Sequence, residues 1–473
     1  MKPCNSTLAR RSGDHLRLHP HGLQISTTSA DATLGGDATE RLLARVLDAA
    51  REGGLLKARG RQRTDSTHVL AAVRELNRIE LLAETLRAAL NAITVAAPDW
   101  LRALAPPEWH ERYGRRIEEM RLPETGPKRD AYVVQVGTDG YRLLDALADR
   151  DVPADVAALP VVAVLRRVWA RHFEQDERGR DGGAPPTVQL RPVEGRGPGD
   201  RIESPYDVDA RFRSKSGMSW MGYMVHLTET CDAGAPHLVL HTDTTPANVH
   251  EAMRTEPIHA ALAGKGLAPS EHLVDSAYIS ADHLIRARKQ HGIDLVGPGR
   301  PRTGWQARTE GAFDKTDFTV DWEGQVAHCP EDRSSTSWRQ YHDKAIGPYI
   351  RARFSAADCN PCPSKPRCTR GRDQGRQLRL HAREQHEALA ATRARQDTEV
   401  GRRLYAQRQG IEGTISQGVR SFGLRRARYR GLAKTGLQSV ATAAAINLDR
   451  LAAWFAERPL APTRISRFAA MAA

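Results

Sequence analysis

The sequence predicts an α/β fold: a mixed sheet with helices packed on it, interrupted by a helical insertion and by an irregular cysteine-containing insertion. Three observations carry this. Stretches with strand-like and helix-like patterning alternate between 219 and 297, the order expected of a sheet covered by helices. Apolar residues recur every three or four positions from Val69 to Ile93, the period of an amphipathic helix. From 298 to 370 neither period holds, and four of the six cysteines fall in or beside that stretch.

Taken in order, residues 1–36 are rich in Ser, Thr, His and Gly without periodicity and read as disordered. Ala38 to Leu56 reads as a helix, the remnant of an N-terminal helical region over 37–56. A first core strand is predicted over 57–66, ending at Asp65. The stripe Val69, Val73, Leu76, Ile79, Leu82, Leu86, Leu90 and Ile93 follows as one long helix, ending at Ala97-Pro98 because proline cannot continue it. Further helix is expected over 108–121, 139–150 and 154–175. The Asp, Gly, Arg and Pro of 176–204 mark a linker, which closes a helical insertion of 68–204. Residues 219–229 and 237–243 read as neighbouring strands, 247–265 as a helix and Glu271–Val274 as a short strand with Asp275 at its end. A helix (281–291) and a strand (Ile293–Gly297) complete a core unit of 205–297. The cysteine-containing insertion spans 298–379, a helical part 380–458, and a tail 459–473.

Charge narrows the function. The net charge is +13, and a basic surface gains affinity for polyanions through counterion release. The excess is concentrated: 401–440 holds nine Lys/Arg and one acid, Glu412. The charged content of 27% and hydrophobic content of 40% exclude a disordered chain. No apolar run approaches the ~20 residues of a membrane helix. Arg10-Arg11 is followed by no hydrophobic stretch, which rules out a twin-arginine export signal. Six cysteines are too few for a disulfide scaffold, so a cytoplasmic setting is expected.

Within the basic segment stands Tyr405-Ala-Gln-Arg408-Gln-Gly-Ile-Glu412. On a helix, positions three and four apart share one face. Three more segments accompany it: Arg63-Thr-Asp65-Ser-Thr-His-Val69, Trp220-Met-Gly-Tyr-Met-Val-His226 and Leu273-Val-Asp275-Ser-Ala-Tyr278. With these four in order, the chain resembles the DDE transposases of bacterial insertion sequences, in the branch with a Tyr-x2-Arg-x3-Glu signature. The likeness covers roughly residues 36 to 460. It implies an RNase H-like core, metal-dependent cleavage of double-stranded DNA at the element's terminal repeats, strand transfer into target DNA, and a homodimer in the synaptic complex. Most of the family's N-terminal helical region has no counterpart before Asp65, so an N-terminally truncated copy is expected.

Phosphoryl transfer on DNA suits two Mg2+ (or Mn2+) ions held by carboxylates from separate segments. The resemblance gives those roles to Asp65, Asp275 and Glu412. Each acid has a plainer reading. Asp65 and Asp275 are also placed to cap helices, and Glu412 to pair with Arg408 on a solvated helix face. Tyr405 and Arg408 match the residues that contact DNA near the cut, although Tyr405 is equally suited to core packing. A DNA track would add Arg402, Arg403, Arg425, Arg426 and Arg428, with Arg420 as a further contact. Two positions depart from the family: Val419 where a Lys usually closes the signature, and Met224 where relatives carry Lys. Cys329, Cys359, Cys362 and Cys368 form a C-x29-C-x2-C-x5-C set. The C-x2-C knuckle matches structural Zn2+ spacing, the outer spacing is irregular, and free thiols remain the alternative. Against an active transposase stand two other readings: a catalytically silent remnant that only binds DNA, and a zinc-dependent regulatory protein.

Overall fold

The computed structural model describes residues 32–458 except 121, 124, 150, 177–186, 193–200, 300–303 and 344–346, together with residue 471. The expectations for residues 1–31 and for nearly all of the 459–473 tail lie outside the described residues. At the centre is a six-stranded mixed sheet of β1 (Gln62–Leu70), β2 (Arg211–Lys215), β3 (Met218–Thr230), β4 (Val239–Pro246), β5 (Glu271–Leu273) and β6 (Asp294–Val296). β3 organises it. Along one edge it pairs antiparallel with β2 through 218–222 and with β4 through 223–229. Its other edge pairs antiparallel with β1. β5 then joins β1, and β6 joins β5, both in parallel. This mixed α/β arrangement is compatible with an RNase H-like core.

The strand crossing is tight at Gly222, whose φ of +149° disfavours any side chain; a Cβ there would lie 2.1 Å from the Val69 carbonyl oxygen. Neighbouring Met224 is buried with Trp220 and Ala247, so at the position where relatives carry Lys the side chain fills an apolar cluster.

The helices of eight or more residues, in chain order, are α1 (Ala32–Glu52), α2 (Arg78–Ala96), α3 (Pro127–Ala146), α4 (Pro160–His172), α5 (Thr255–Gly264), α6 (Ala281–His291), α7 (Arg383–Asp397), α8 (Glu399–Ala406), α9 (Gly410–Phe422) and α10 (Leu432–Phe455). α10 packs against both α1 and β4. Leu43, Leu47, Val225, Leu227, Leu238, Ile411 and Ile446 meet in the core between them. A second core, of Leu86, Ile93, Val136, Leu143, Leu165 and Trp169, unites α2, α3 and α4. A third lies under a small antiparallel sheet of β7 (Ser337–Asp343), β8 (Gly347–Arg353) and β9 (Gln377–Leu380).

The structure departs from sequence expectation at several places. β1 runs to Leu70, so Asp65 is its fourth residue and not its last. The predicted helix from Val69 starts instead at Arg78, where the Asn77 side chain accepts from the backbone N–H of Ile79 and Glu80 while the Glu80 carboxylate accepts from the Asn77 backbone N–H. This capping box satisfies orphan amides at the true start. Asp65 therefore caps no helix. The expected 139–150 helix is the end of α3, which begins at Pro127. Within the expected linker, Thr187–Leu190 pairs antiparallel with Phe173–Asp176. The predicted helix over 247–265 is split into a 3-10 turn, Glu251–Arg254, and α5.

Candidate active site

Two of the acids are set side by side by strand register. β1 and β5 pair in parallel, and the last matched residues are Arg63 and Leu273. Two residues further along each strand direction come Asp65 and Asp275. Side chains two apart point to the same face, so both carboxylates project on the face reached by Arg63. Asp275 closes β5 by capping the 3-10 turn Ser276–Tyr278, its Oδ1 accepting from the Ala277 N–H at 2.8 Å. Its plainer reading as a cap is thus realised, and it still stands beside Asp65. Burial, then the neighbouring charge of Asp65, raises the Asp275 pKa above the usual carboxylate value. The pair is short of positive charge.

Arg408 supplies part of it. Its Nη1 lies 2.9 Å from Asp65 Oδ2, and its Nη2 lies 3.4 Å from Glu412 Oε1. The guanidinium is largely buried, whereas the Glu412 side chain is 65% exposed. One arginine thus links the acid on β1 to the acid on α9. Tyr405 is half-buried alongside, its phenol pKa raised by burial and held back by Arg408.

The Tyr405–Glu412 stretch is not one unbroken helix. α8 ends at Ala406, Gln407–Gln409 forms a 3-10 turn, and α9 begins at Gly410. Arg63 explains the break. Its Nη1 donates to the Gln407 carbonyl at 2.5 Å, and a Cβ on Gly410 would stand 2.1 Å from that nitrogen. The turn places Glu412 in the first helical turn of α9, where the N-terminal dipole favours an anion.

Beneath lies a buried charge network that sequence reasoning missed. Glu229, fully buried on β3, accepts from Arg63 Nε at 2.7 Å, from Thr414 Oγ1 at 2.5 Å and from Arg450 Nη1 at 2.7 Å. It ties β1, β3, α9 and α10 together. The available signal was a charged pair, Arg63 and Glu229, inside otherwise strand-like runs.

The remaining basic residues are spread more widely. Arg425 donates to Thr67 Oγ1 at 2.8 Å, while the backbone around it pairs with Leu70. Arg426 and Arg428 are exposed on the same connection, where Gln438 holds the backbone. Arg402 and Arg403 are exposed on α8 and engaged locally, Arg402 with the Asp397 carbonyl and Arg403 with Glu399. Arg420 is exposed, while Val419 packs on the main core. The missing signature lysine is thus a packing position here.

Cys329, Cys359, Cys362 and Cys368 are free thiols lining one small cavity of about 30 Å3. Backbone N–H groups of Arg333 and Arg376 approach the sulfurs of Cys329 and Cys359 at 3.4 and 3.5 Å. Cys231 is buried on its own at the sheet edge with Leu273 and Val296. Among the described residues, no group of three or more His, Cys, Asp or Glu side chains is arranged to hold a metal ion. For Mg2+, the oxygen donors of the adjacent Asp65 and Asp275 suit the ion, and Arg408 marks the place where the pair calls for a cation.

Comparison with known families decides the class. Residues 328–452 match the family model described as Transposase DDE domain. This segment is of the DDE transposase type. The matched segment holds Glu412 and the four cysteines, while Asp65 and Asp275 lie before it. No curated protein matches the chain. Among the described residues, no helix is long and apolar enough to cross a membrane.

Proposed function

We propose that this transposase cleaves double-stranded DNA at the terminal repeats of an insertion sequence and joins the released 3′-hydroxyl to target DNA, with an RNase H-like core carrying the chemistry. One observation carries the reading: two carboxylates set side by side by parallel strand register, with Arg408 joining one of them to Glu412. Asp65, Asp275 and Glu412 would hold two Mg2+ (or Mn2+) ions. When bound, those ions stabilise charge on the entering and leaving oxygens of an in-line displacement.

The protein's own groups position the substrate. Arg408 is planar, permanently charged and already aimed at the acids, so it suits a phosphate oxygen at the cut. Tyr405 lies beside it as a hydroxyl contact. Arg402, Arg403, Arg420, Arg425, Arg426 and Arg428 give a basic track on the side of α8, α9 and the connection that follows. Cleaving both ends together implies two copies in a synaptic complex. The four cysteines offer thiolate donors for a structural Zn2+ that would staple the 298–379 segment.

The test is a supercoiled plasmid carrying the element's flanking ends, incubated with purified protein and Mg2+ or Mn2+. Metal-dependent nicking that disappears in Asp275→Asn supports the reading. Duplex binding without nicking in both proteins would overturn it and leave a silent remnant.

A further inference from the structure

The small sheet has one apolar and one cationic face. Ile350, Ala352, Leu378 and Leu380 turn inward onto Phe318 and Phe354. By strand alternation, the other face carries Arg339 and Tyr341 from β7, Tyr349, Arg351 and Arg353 from β8, and Arg379 from β9. The register puts Arg339 opposite Arg351, and Arg351 opposite Arg379. Like charges directly opposite one another destabilise a sheet, yet here three stand in one row. Among the described residues, none of Arg339, Arg351, Arg353 and Arg379 has a carboxylate partner. The acid on this face, Asp343, sits at the hairpin end.

Tyrosines hold the row in shape. The Arg351 guanidinium lies 4.3 Å from the Tyr341 ring centroid and the Arg379 guanidinium 4.5 Å from that of Tyr349. The two rings stack at 5.6 Å. Stacking of this kind fixes a guanidinium plane; Arg351 Nη2 also donates to the Tyr349 hydroxyl at 2.9 Å, and the remaining N–H groups are left for an anion. Tyr349 is buried, so its ring serves the arginines and not a nucleobase. With strands ~4.8 Å apart, the row spans about 10 Å, the axial rise of about three phosphates on one DNA strand.

The sheet also borders the core through β8 and β9. Tyr349, Gln377 and Arg379 line a cleft of about 630 Å3 together with Lys315 and the inward-facing Leu378 and Leu380. Ile279 and Ala281, just past the turn that Asp275 caps, line the same cleft.

We propose that the outer face of the β7–β8–β9 sheet binds the phosphate backbone of duplex DNA and holds it against the Asp275 side of the core. This rests on the transposase reading and names a second contact for the same substrate. The contacts are to phosphate, so they are independent of sequence.

The experiment measures binding of a labelled random-sequence duplex at several salt concentrations, without metal, in an Asp275→Asn background. Each phosphate contact contributes about 0.9 to the slope of log K against log salt. The Arg339→Gln/Arg351→Gln/Arg379→Gln variant is expected to lower that slope by roughly 2–3. Arg339→Lys/Arg351→Lys/Arg379→Lys should keep most of it, which also covers the case in which the glutamine variant fails to fold. Arg115→Gln/Arg129→Gln/Arg166→Gln, exposed arginines of the helical segment, removes the same charge elsewhere. An unchanged slope in the first variant, or an equal loss in the last, overturns the proposal. Because the readout is binding, absence of nicking by the unsubstituted chain would strike the proposed chemistry and leave this surface standing.

Discussion

Removing the Glu229 carboxylate should destabilise the central sheet and its helices more than any surface change. Glu229 is fully buried and faces two guanidiniums, Arg63 at 6% side-chain exposure and Arg450 at 19%. In Glu229→Ala, both lose their shared counter-charge and Thr414 loses its acceptor. Breaking a buried pair from one side costs about 3–5 kcal/mol; partial hydration of Arg450 places this site toward the lower end. With a urea slope of roughly 3 kcal/mol per M, the unfolding midpoint should fall by about 1 M, followed by far-UV circular dichroism. The double variant Glu229→Leu/Arg63→Met replaces the charged pair with apolar volume and, with Arg450 still lacking its counter-charge, should recover the part of the loss due to Arg63. It still lacks the donor to the Gln407 carbonyl, so the turn that sets Arg408 and Glu412 is left unheld and nicking should stay low. A midpoint shift equivalent to less than 1 kcal/mol in Glu229→Ala would refute the argument. So would full nicking in the double variant.

Three further outcomes are expected. Gly410→Ala forces a methyl toward Arg63 and should cost about 1–3 kcal/mol in the urea midpoint, with nicking falling further than stability; a neutral substitution would show that the turn adapts. His172, His241 and His259 are held by burial at pKa values of about 4, below the ordinary 6.5. The unfolded chain therefore binds more protons between these values, so stability should be full above pH 6.5 and decline toward pH 4; a flat thermal midpoint across that window would contradict it. Metal analysis of purified protein should find zinc that is lost in Cys359→Ser/Cys362→Ser, and zinc-free, fully folded protein would leave the cysteines as free thiols.

Local signals in the sequence were readable where chemistry and chain spacing coincide. The Tyr405, Arg408 and Glu412 spacing is carried by one short segment, and the helix Ala281–His291 and its flanking strands were legible from pattern alone. The start of α2 was misread because Val69, Val73 and Leu76 continue the three-to-four period by coincidence. Val69 packs in the sheet core and Leu76 against the helical unit. The Asn77–Glu80 capping box was the better signal. The adjacency of Asp65 and Asp275 could not be read at all, since it depends on register between strands far apart in sequence. For the same reason the arginine row was hidden: Arg339, Arg351 and Arg379 are unremarkable until three strands align them. Glu229 and Arg450 escaped notice because nothing local announces a charge partner on a helix more than two hundred residues away.

The distribution of the acids along the chain also has a bearing on biosynthesis. Asp65 leaves the ribosome first and Glu412 347 residues later (412 − 65), an interval of about 17–70 s at 5–20 residues per second. Until α10 emerges, Glu229 lacks Arg450 and the acid-bearing helix lacks one of its anchors. A nascent chain therefore cannot assemble the three-acid cluster with its full support until the last helix of the core has emerged.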